Sequence, residues 1–166
     1  MSALKKPFIA LLVLAMSLAL LVVACGSSAT ATPAPTATPL KVGQLNSFTG
    51  DLSDFGTAHR NSGALAGDHV NQAGGVLGTV VTISARDTQT NAQVGVDAAR
   101  ALVDIEGVVA IVGALASGVT IPVVQSVTGP SGILQISAAS TSPAITVLED
   151  NDFMFRTTVS DAAQGV

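Results

Sequence analysis

Two short segments of this 166-residue chain place hydroxyls among small residues, Ala116-Ser117-Gly118 and Ser137-Ala138-Ala139-Ser140-Thr141-Ser142. Each follows an aliphatic run that reads as a strand, Val108-Val109-Ala110-Ile111-Val112 for the first and Ile133-Leu134-Gln135-Ile136 for the second. Ser117 would stand at the start of a helix, where unpaired backbone N–H groups and the helix dipole favour an anion. No Lys or Arg lies in either segment, so the chemistry on offer is the holding of a carboxylate by neutral hydroxyls and amides. Both residues also have a plainer use. Ser117 can be an ordinary N-cap and Thr141 a turn hydroxyl ahead of Pro143. From the residues alone both readings stay open.

Other chemistry is weaker. A nucleophile elbow needs Gly-x-Ser-x-Gly, whereas this loop reads Leu115-Ala116-Ser117-Gly118-Val119. His59 and His69 fall on one predicted helix, about 80° apart around it and about 15 Å apart along it, so they read as surface side chains and not as metal ligands. Gly74-Gly75 with Gly78 precedes a strand instead of following one, which makes it a helix stop and not a dinucleotide fingerprint. Glu149, Asp150 and Asp152 read as a solvated turn.

The elements that must position the hydroxyls alternate along the chain. Lys41-Val42-Gly43-Gln44-Leu45 predicts a strand, 57–73 a helix with Ala64, Leu65 and Val70 on one face, and Val80-Val81-Thr82-Ile83-Ser84 a second strand. Thr90 caps a helix over 91–106 whose apolar stripe is Val94, Ala98, Ala101, Leu102 and Ile105. A third strand at 108–112, apolar on both faces, belongs inside a sheet covered by helices. A helix over 119–127, a turn at Gly129-Pro130-Ser131-Gly132, a fourth strand and a fifth at Phe153-Met154-Phe155 complete the pattern. Strands alternating with helices at this spacing predict an α/β fold, a Rossmann-like three-layer lobe with a mostly parallel sheet. Ligands bind such sheets outside the carboxyl ends of the strands, where these loops lie. The segment from Ser160 onward reads as the first turn of a further helix, which suggests the front of a longer protein.

Composition narrows the function. Lys5 and Lys6 precede a mostly apolar stretch at 8–24, and the only cysteine, Cys25, follows at once, before Gly26-Ser27-Ser28. A basic start, an apolar middle and small residues describe a secretory leader. Cysteine at the cleavage point resembles the bacterial lipoprotein signal, in which that thiol is lipidated; an uncleaved membrane-spanning helix is the alternative. The expected organisation is therefore a signal peptide at 1–24, a Thr/Pro-rich tether at 25–39 and a globular lobe at 40–166, exported and lipid-anchored at the outer face of the cell membrane. Beyond the leader, Lys41, Arg60, Arg86, Arg100 and Arg156 stand against all eleven acids, a net charge of −6. A basic stripe is absent, which argues against nucleic acid as a partner. With one cysteine, no internal disulfide is available.

Several segments occur together in an order that resembles a known family: Lys41-Val42-Gly43, Ser47-Phe48-Thr49-Gly50, Phe55-Gly56, Asn71-Gln72-Ala73-Gly74-Gly75-Val76, Val112 through Gly118, Gly132 through Ser137, and Phe155-Arg156-Thr157. The chain resembles the N-terminal lobe of type I periplasmic binding proteins, the branched-chain amino acid (Leu/Ile/Val) receptors of ABC transporters. The resemblance implies a non-enzymatic receptor without a cofactor, which binds an amino acid or related carboxylate and delivers it to an ABC permease. Ser117 and Thr141 then align with the serine and threonine that hold the ligand's carboxylate. Ala139 and Ser140 fall where backbone groups contribute, Leu115 where the side-chain pocket is lined, and Phe55 at an aromatic position on the cleft edge. A ligand-sensing domain of the same fold and an exported hydrolase are the other readings.

Overall fold

The structure is a computed structural model and describes residues 38–165. The leader, Cys25 and the tether up to residue 37 lie outside the described residues. Five parallel strands are present: β1 (Leu40–Asn46), β2 (Val81–Asp87), β3 (Ala110–Val112), β4 (Leu134–Ser137) and β5 (Met154–Arg156). Their order in the sheet is β2-β1-β3-β4-β5, and every neighbouring pair is parallel. Parallel pairing requires crossovers, which the helices supply.

Helix α1 (Ser53–Gln72) joins β1 to β2 and packs on one face of those two strands. Helix α2 (Ala92–Arg100) and α3 (Ser117–Val123) pack against each other on the opposite face. Each continues into a π-helical stretch, Ala101–Glu106 and Val124–Thr128. Because strand side chains alternate, Leu45 and Ile111 point to the α2/α3 side and join Val96, Ala99, Leu102, Val119, Val123 and Val127 in the core. A smaller cluster of Val124, Ile145 and Met154 sits under the 3-10 helix Pro143–Val147. On the α1 side, Val112 and Phe155 are 42 % and 51 % exposed, so helix covers only the β1–β2 half of that face.

Four sequence expectations are corrected. Helix α1 begins at Ser53, earlier than the predicted 57, because a local turn bond from Ser53 N–H to the Gly50 carbonyl and a distant one from Leu52 N–H to Thr90 Oγ1 set its entry. Gly50 has φ +81°, and a Cβ there would lie 2.1 Å from the Gln89 carbonyl, so only glycine permits this approach. The inner face of α1 is not Ala64, Leu65 and Val70, all exposed, but Gly56 and Gly67, since Ile83 of β2 packs directly on the Gly67 backbone. In α2 the buried side is Val96, Ala99 and Leu102, and Ile105 is exposed once the wider π turn rotates it outward. Finally, 129–132 is not a separate turn: Gly129–Ser131 forms a short helix, α4, which ends on Gly132 at φ +64°.

Candidate functional site

The sheet topology fixes where a ligand would sit. From β1 the chain moves outward to β2, while β3, on the other side of β1, leads away to β4 and β5, so the order reverses between β1 and β3. The crevice at the carboxyl ends of these strands is the topological switch point. Three loops border it: 47–52 after β1, 113–116 after β3 and 138–142 after β4.

Ser117 is the first residue of α3, and its hydroxyl does not cap that helix; Ala116 occupies the N-cap position. Instead Ser117 Oγ accepts the N–H of Ser142 at 3.2 Å, tying the β3 loop to the β4 loop. Ser140 is fully buried and bonds Thr120 Oγ1 at 2.8 Å and the carbonyls of Ala114 and Leu115 at 3.3 Å. The N–H groups of Ala139 and Ser140 turn inward to Ser137 Oγ, at 3.3 and 3.0 Å. Arg156 at the end of β5 donates to the carbonyl of Ser142 at 2.8 Å, to that of Ser140 at 3.4 Å and to the Thr146 hydroxyl. The Thr141 carbonyl accepts from Asp161 N–H at 2.9 Å. Every anchor of this loop therefore falls on its backbone or on a neighbour. The half-buried Thr141 hydroxyl alone is left without a bond to another described residue.

Leu115 is buried and lines a small pocket together with Ala139. Phe55 stands 55 % exposed on the first turn of α1, at the same carboxyl edge, but shares no hydrogen bond with the β3 and β4 loops among the described residues. The β1 loop has its own anchor in Asp87, whose Oδ1 accepts from Phe48 N–H at 2.9 Å and Thr49 N–H at 3.3 Å while Oδ2 accepts from the Thr49 hydroxyl at 2.7 Å. Burial pushes the Asp87 carboxyl up, but the Thr49 hydroxyl and the N–H groups of Gln89, Thr49 and Phe48 outweigh it and hold it below the ordinary carboxylate range.

Sequence reasoning did not single out Arg156 as the anchor of the Thr141 loop. The available sign was a basic residue at the end of an otherwise apolar strand in a domain of net charge −6. His59 is half-buried and His69 exposed, and no cluster of three metal-ligating side chains forms among the described residues.

The sequence model of the periplasmic binding protein family matches residues 39–166. The chain belongs to the periplasmic binding protein family. That membership places it outside the cytoplasm, and its parallel five-stranded sheet with flanking helices is the fold of the type I members. Among curated relatives of this periplasmic binding protein is the Leu/Ile/Val-binding protein BraC3 of Rhizobium johnstonii, 32 % identical over 107 residues, which are 64 % of this chain and 29 % of that protein. Another is the chemotactic signal transduction system substrate-binding protein BasB of Halobacterium salinarum, 30 % identical over 131 residues, 76 % of this chain and 32 % of that one. Among solved structures it is similar to the branched-chain amino acid transporter substrate-binding protein LivJ of Streptococcus pneumoniae, in complex with isoleucine. The TM-score is 0.69 at 27 % identity, over 75 % of this chain and 35 % of LivJ. The chain thus spans about a third of the length of the relatives it matches.

Proposed function

We propose that this chain is the N-terminal lobe of an extracytoplasmic receptor of an ABC importer, binding an amino acid or similar small carboxylate. The observation that carries the reading is the Thr141 hydroxyl. Among the described residues it has no partner, in a loop whose flanking residues, Ser140 and Ser142, are clamped by Arg156, Thr120 and Ser117. The carboxylate would dock on Thr141, on Ser117 and on the first N–H groups of α3, with Leu115 and Phe55 beside the ligand's side chain. Backbone atoms of Ala139 and Ser140 form the floor of that loop. A second lobe, which the family resemblance implies, closes over the ligand, and a membrane permease receives it. In this reading Cys25 carries a lipid anchor and the Thr/Pro tether spaces the lobe from the membrane.

The reading is of a binder without catalysis. Ser117 Oγ is occupied by a backbone N–H, and no histidine or carboxylate bonds it among the described residues, so a hydrolase would lack its general base. Signal transduction is a second reading, supported by the chemotactic role in the name of BasB. Permease and ATPase genes beside this one would favour import, and a kinase or receptor gene would favour sensing.

Calorimetric titration of a full-length version, second lobe included, with leucine, isoleucine and other small amino acids tests the site. Ser117→Ala and Thr141→Ala are each expected to weaken binding about tenfold, the loss of one neutral hydrogen bond to a charged group. Their unfolding temperatures should stay within a few degrees of the parent. Unchanged affinity in the double variant would remove the carboxylate assignment.

A further inference from the structure

Strand β1 turns Val42, Gln44 and Asn46 toward the α1 side of the sheet, and two of these are polar. Gln44 is 4 % exposed and Asn46 2 %. Gln44 Nε2 donates to the His59 carbonyl at 2.7 Å, which sets the orientation of the amide. Its Oε1 then has no partner, and neither has Asn46 Nδ2; among the described residues these are the buried side-chain polar atoms left unpaired. The arrangement has been given room: a Cβ on Gly63 of α1 would lie 2.5 Å from Gln44 Nε2. Burying polar groups without partners is unfavourable, so a strand that does so twice on one face has a partner missing.

Gln44 and Asn46 both line a pocket of about 20 Å³ at the β1–β3 switch point, which also touches Leu115 and Ala139. That is space for one polar group of roughly the size of a water. Its other walls are His59, Val112, Gly113, Ala114 and Ala138, with no Lys, Arg, Asp or Glu, so a charged group entering it would go unpaired. An acceptor from Gln44 and a donor from Asn46 instead match a neutral group that both donates and accepts.

We propose that this pocket reads the far end of the ligand and selects a side chain ending in a hydroxyl. A hydroxyl satisfies both orphans at once within the space of one water, its O–H donating to Gln44 Oε1 and its oxygen accepting from Asn46 Nδ2. The inference rests on the carboxylate reading of Ser117 and Thr141 for the ligand's other end. An aliphatic side chain, such as that of the isoleucine bound by LivJ, would leave both orphans buried and unpaired.

Two measurements on the encoded chain decide it, using Gln44→Met, which drops the unpaired Oε1 but also the Nε2 bond to the His59 carbonyl, and Asn46→Leu, which drops the unpaired Nδ2. First, thermal unfolding without ligand: Asn46→Leu should be at least as stable as the parent, because an unpaired buried group has gone. A fall of more than about 5 °C in Asn46→Leu would show that the group has a structural partner, and the inference would be overturned. Second, amide chemical-shift titrations with L-serine, L-threonine and L-leucine. The parent should bind a hydroxyl-bearing amino acid at least about tenfold tighter than leucine, and the double variant should reverse that preference. A ratio untouched by Gln44→Met, with all binding still weakened by Ser117→Ala, overturns the pocket and leaves the carboxylate reading standing. A ratio that shifts while Ser117→Ala and Thr141→Ala change nothing supports the pocket and removes the carboxylate reading. No titration shift with any of the three removes both.

Discussion

The guanidinium of Arg156 donates to the carbonyl of Ser142 at 2.8 Å, from the last residue of β5 to the far side of the Thr141 loop. A second, longer bond reaches the Ser140 carbonyl, so one planar group brackets the residue between them. The loop is short of regular secondary structure, and its shape is set by side chains from three other elements.

Arg156 is therefore a positioning residue. Arg156→Met should weaken ligand binding about tenfold and destabilise the chain by about 1–2 kcal/mol, in line with the loss of hydrogen bonds to a charged group. Arg156→Lys should recover the charge but not the affinity, because an ammonium lacks the fork that reaches the Ser142 carbonyl through Nη1 and the Thr146 hydroxyl through Nη2. Hydrogen exchange separates this from general destabilisation: the Ser142 amide should open faster in both variants while core amides of β1 keep their protection.

Gln135 offers a test of the core beneath the site. Its Oε1 accepts from Thr128 Oγ1 at 2.7 Å and its Nε2 donates to the Gly113 carbonyl at 2.9 Å, all fully enclosed. Gln135→Leu should cost about 2–3 kcal/mol, since two buried groups lose their partner. Adding Thr128→Val should return about 1 kcal/mol of that by removing one orphan. Urea unfolding of the parent, both single variants and the double completes the cycle.

Acid should weaken the β1–β2 side of the fold. Burial opposes ionisation of Asp87, but the Thr49 hydroxyl and three backbone N–H groups prevail; the Ser84 hydroxyl and then Arg86 hold Glu106 down. A carboxyl with a lowered folded pKa contributes fully above its unfolded value and loses that contribution as pH falls through the folded one. Unfolding temperature should be nearly constant for these two groups above about pH 5 and decline steadily below the ordinary carboxylate range, about pH 4. In Asp87→Asn and Glu106→Gln the decline should be shallower; an unchanged slope in both would exclude them as its source.

Much of the architecture was written locally. The run Val108-Val109-Ala110-Ile111-Val112 announces a parallel strand inside the sheet, and the hydroxyl loops follow their strands as expected; the expected burial of both its faces fails, since Val108 and Ile111 are buried but Val109 and Val112 are exposed where no helix covers β3. What local pattern could not reveal came from distant contacts. The start of α1 depends on Thr90 and Gln89, and its inner face on glycines that carry no hydropathy at all. The π turns after α2 and α3 shift the helical phase, which is why Ile105 is exposed although it lies at helical spacing. At the candidate site, Ser117 and Thr141 were legible as hydroxyls at strand ends. Gln44 and Asn46 were not, because polar residues inside a strand ordinarily read as its solvent side, and here a helix covers them.

The strand order also decides when this chain can fold. A polypeptide made from its N-terminus delivers β1 first, yet β1 ends inside the sheet, with β2 on one side of it and β3 on the other. Leu40 must wait for Val81, and Val42 for Ala110. Until then its row of backbone amides is open on both sides, a stretch of unpaired template. The first strand made therefore stays open on one side until β3 has been made, some seventy residues later, while β4 and β5 add outward from a strand already paired.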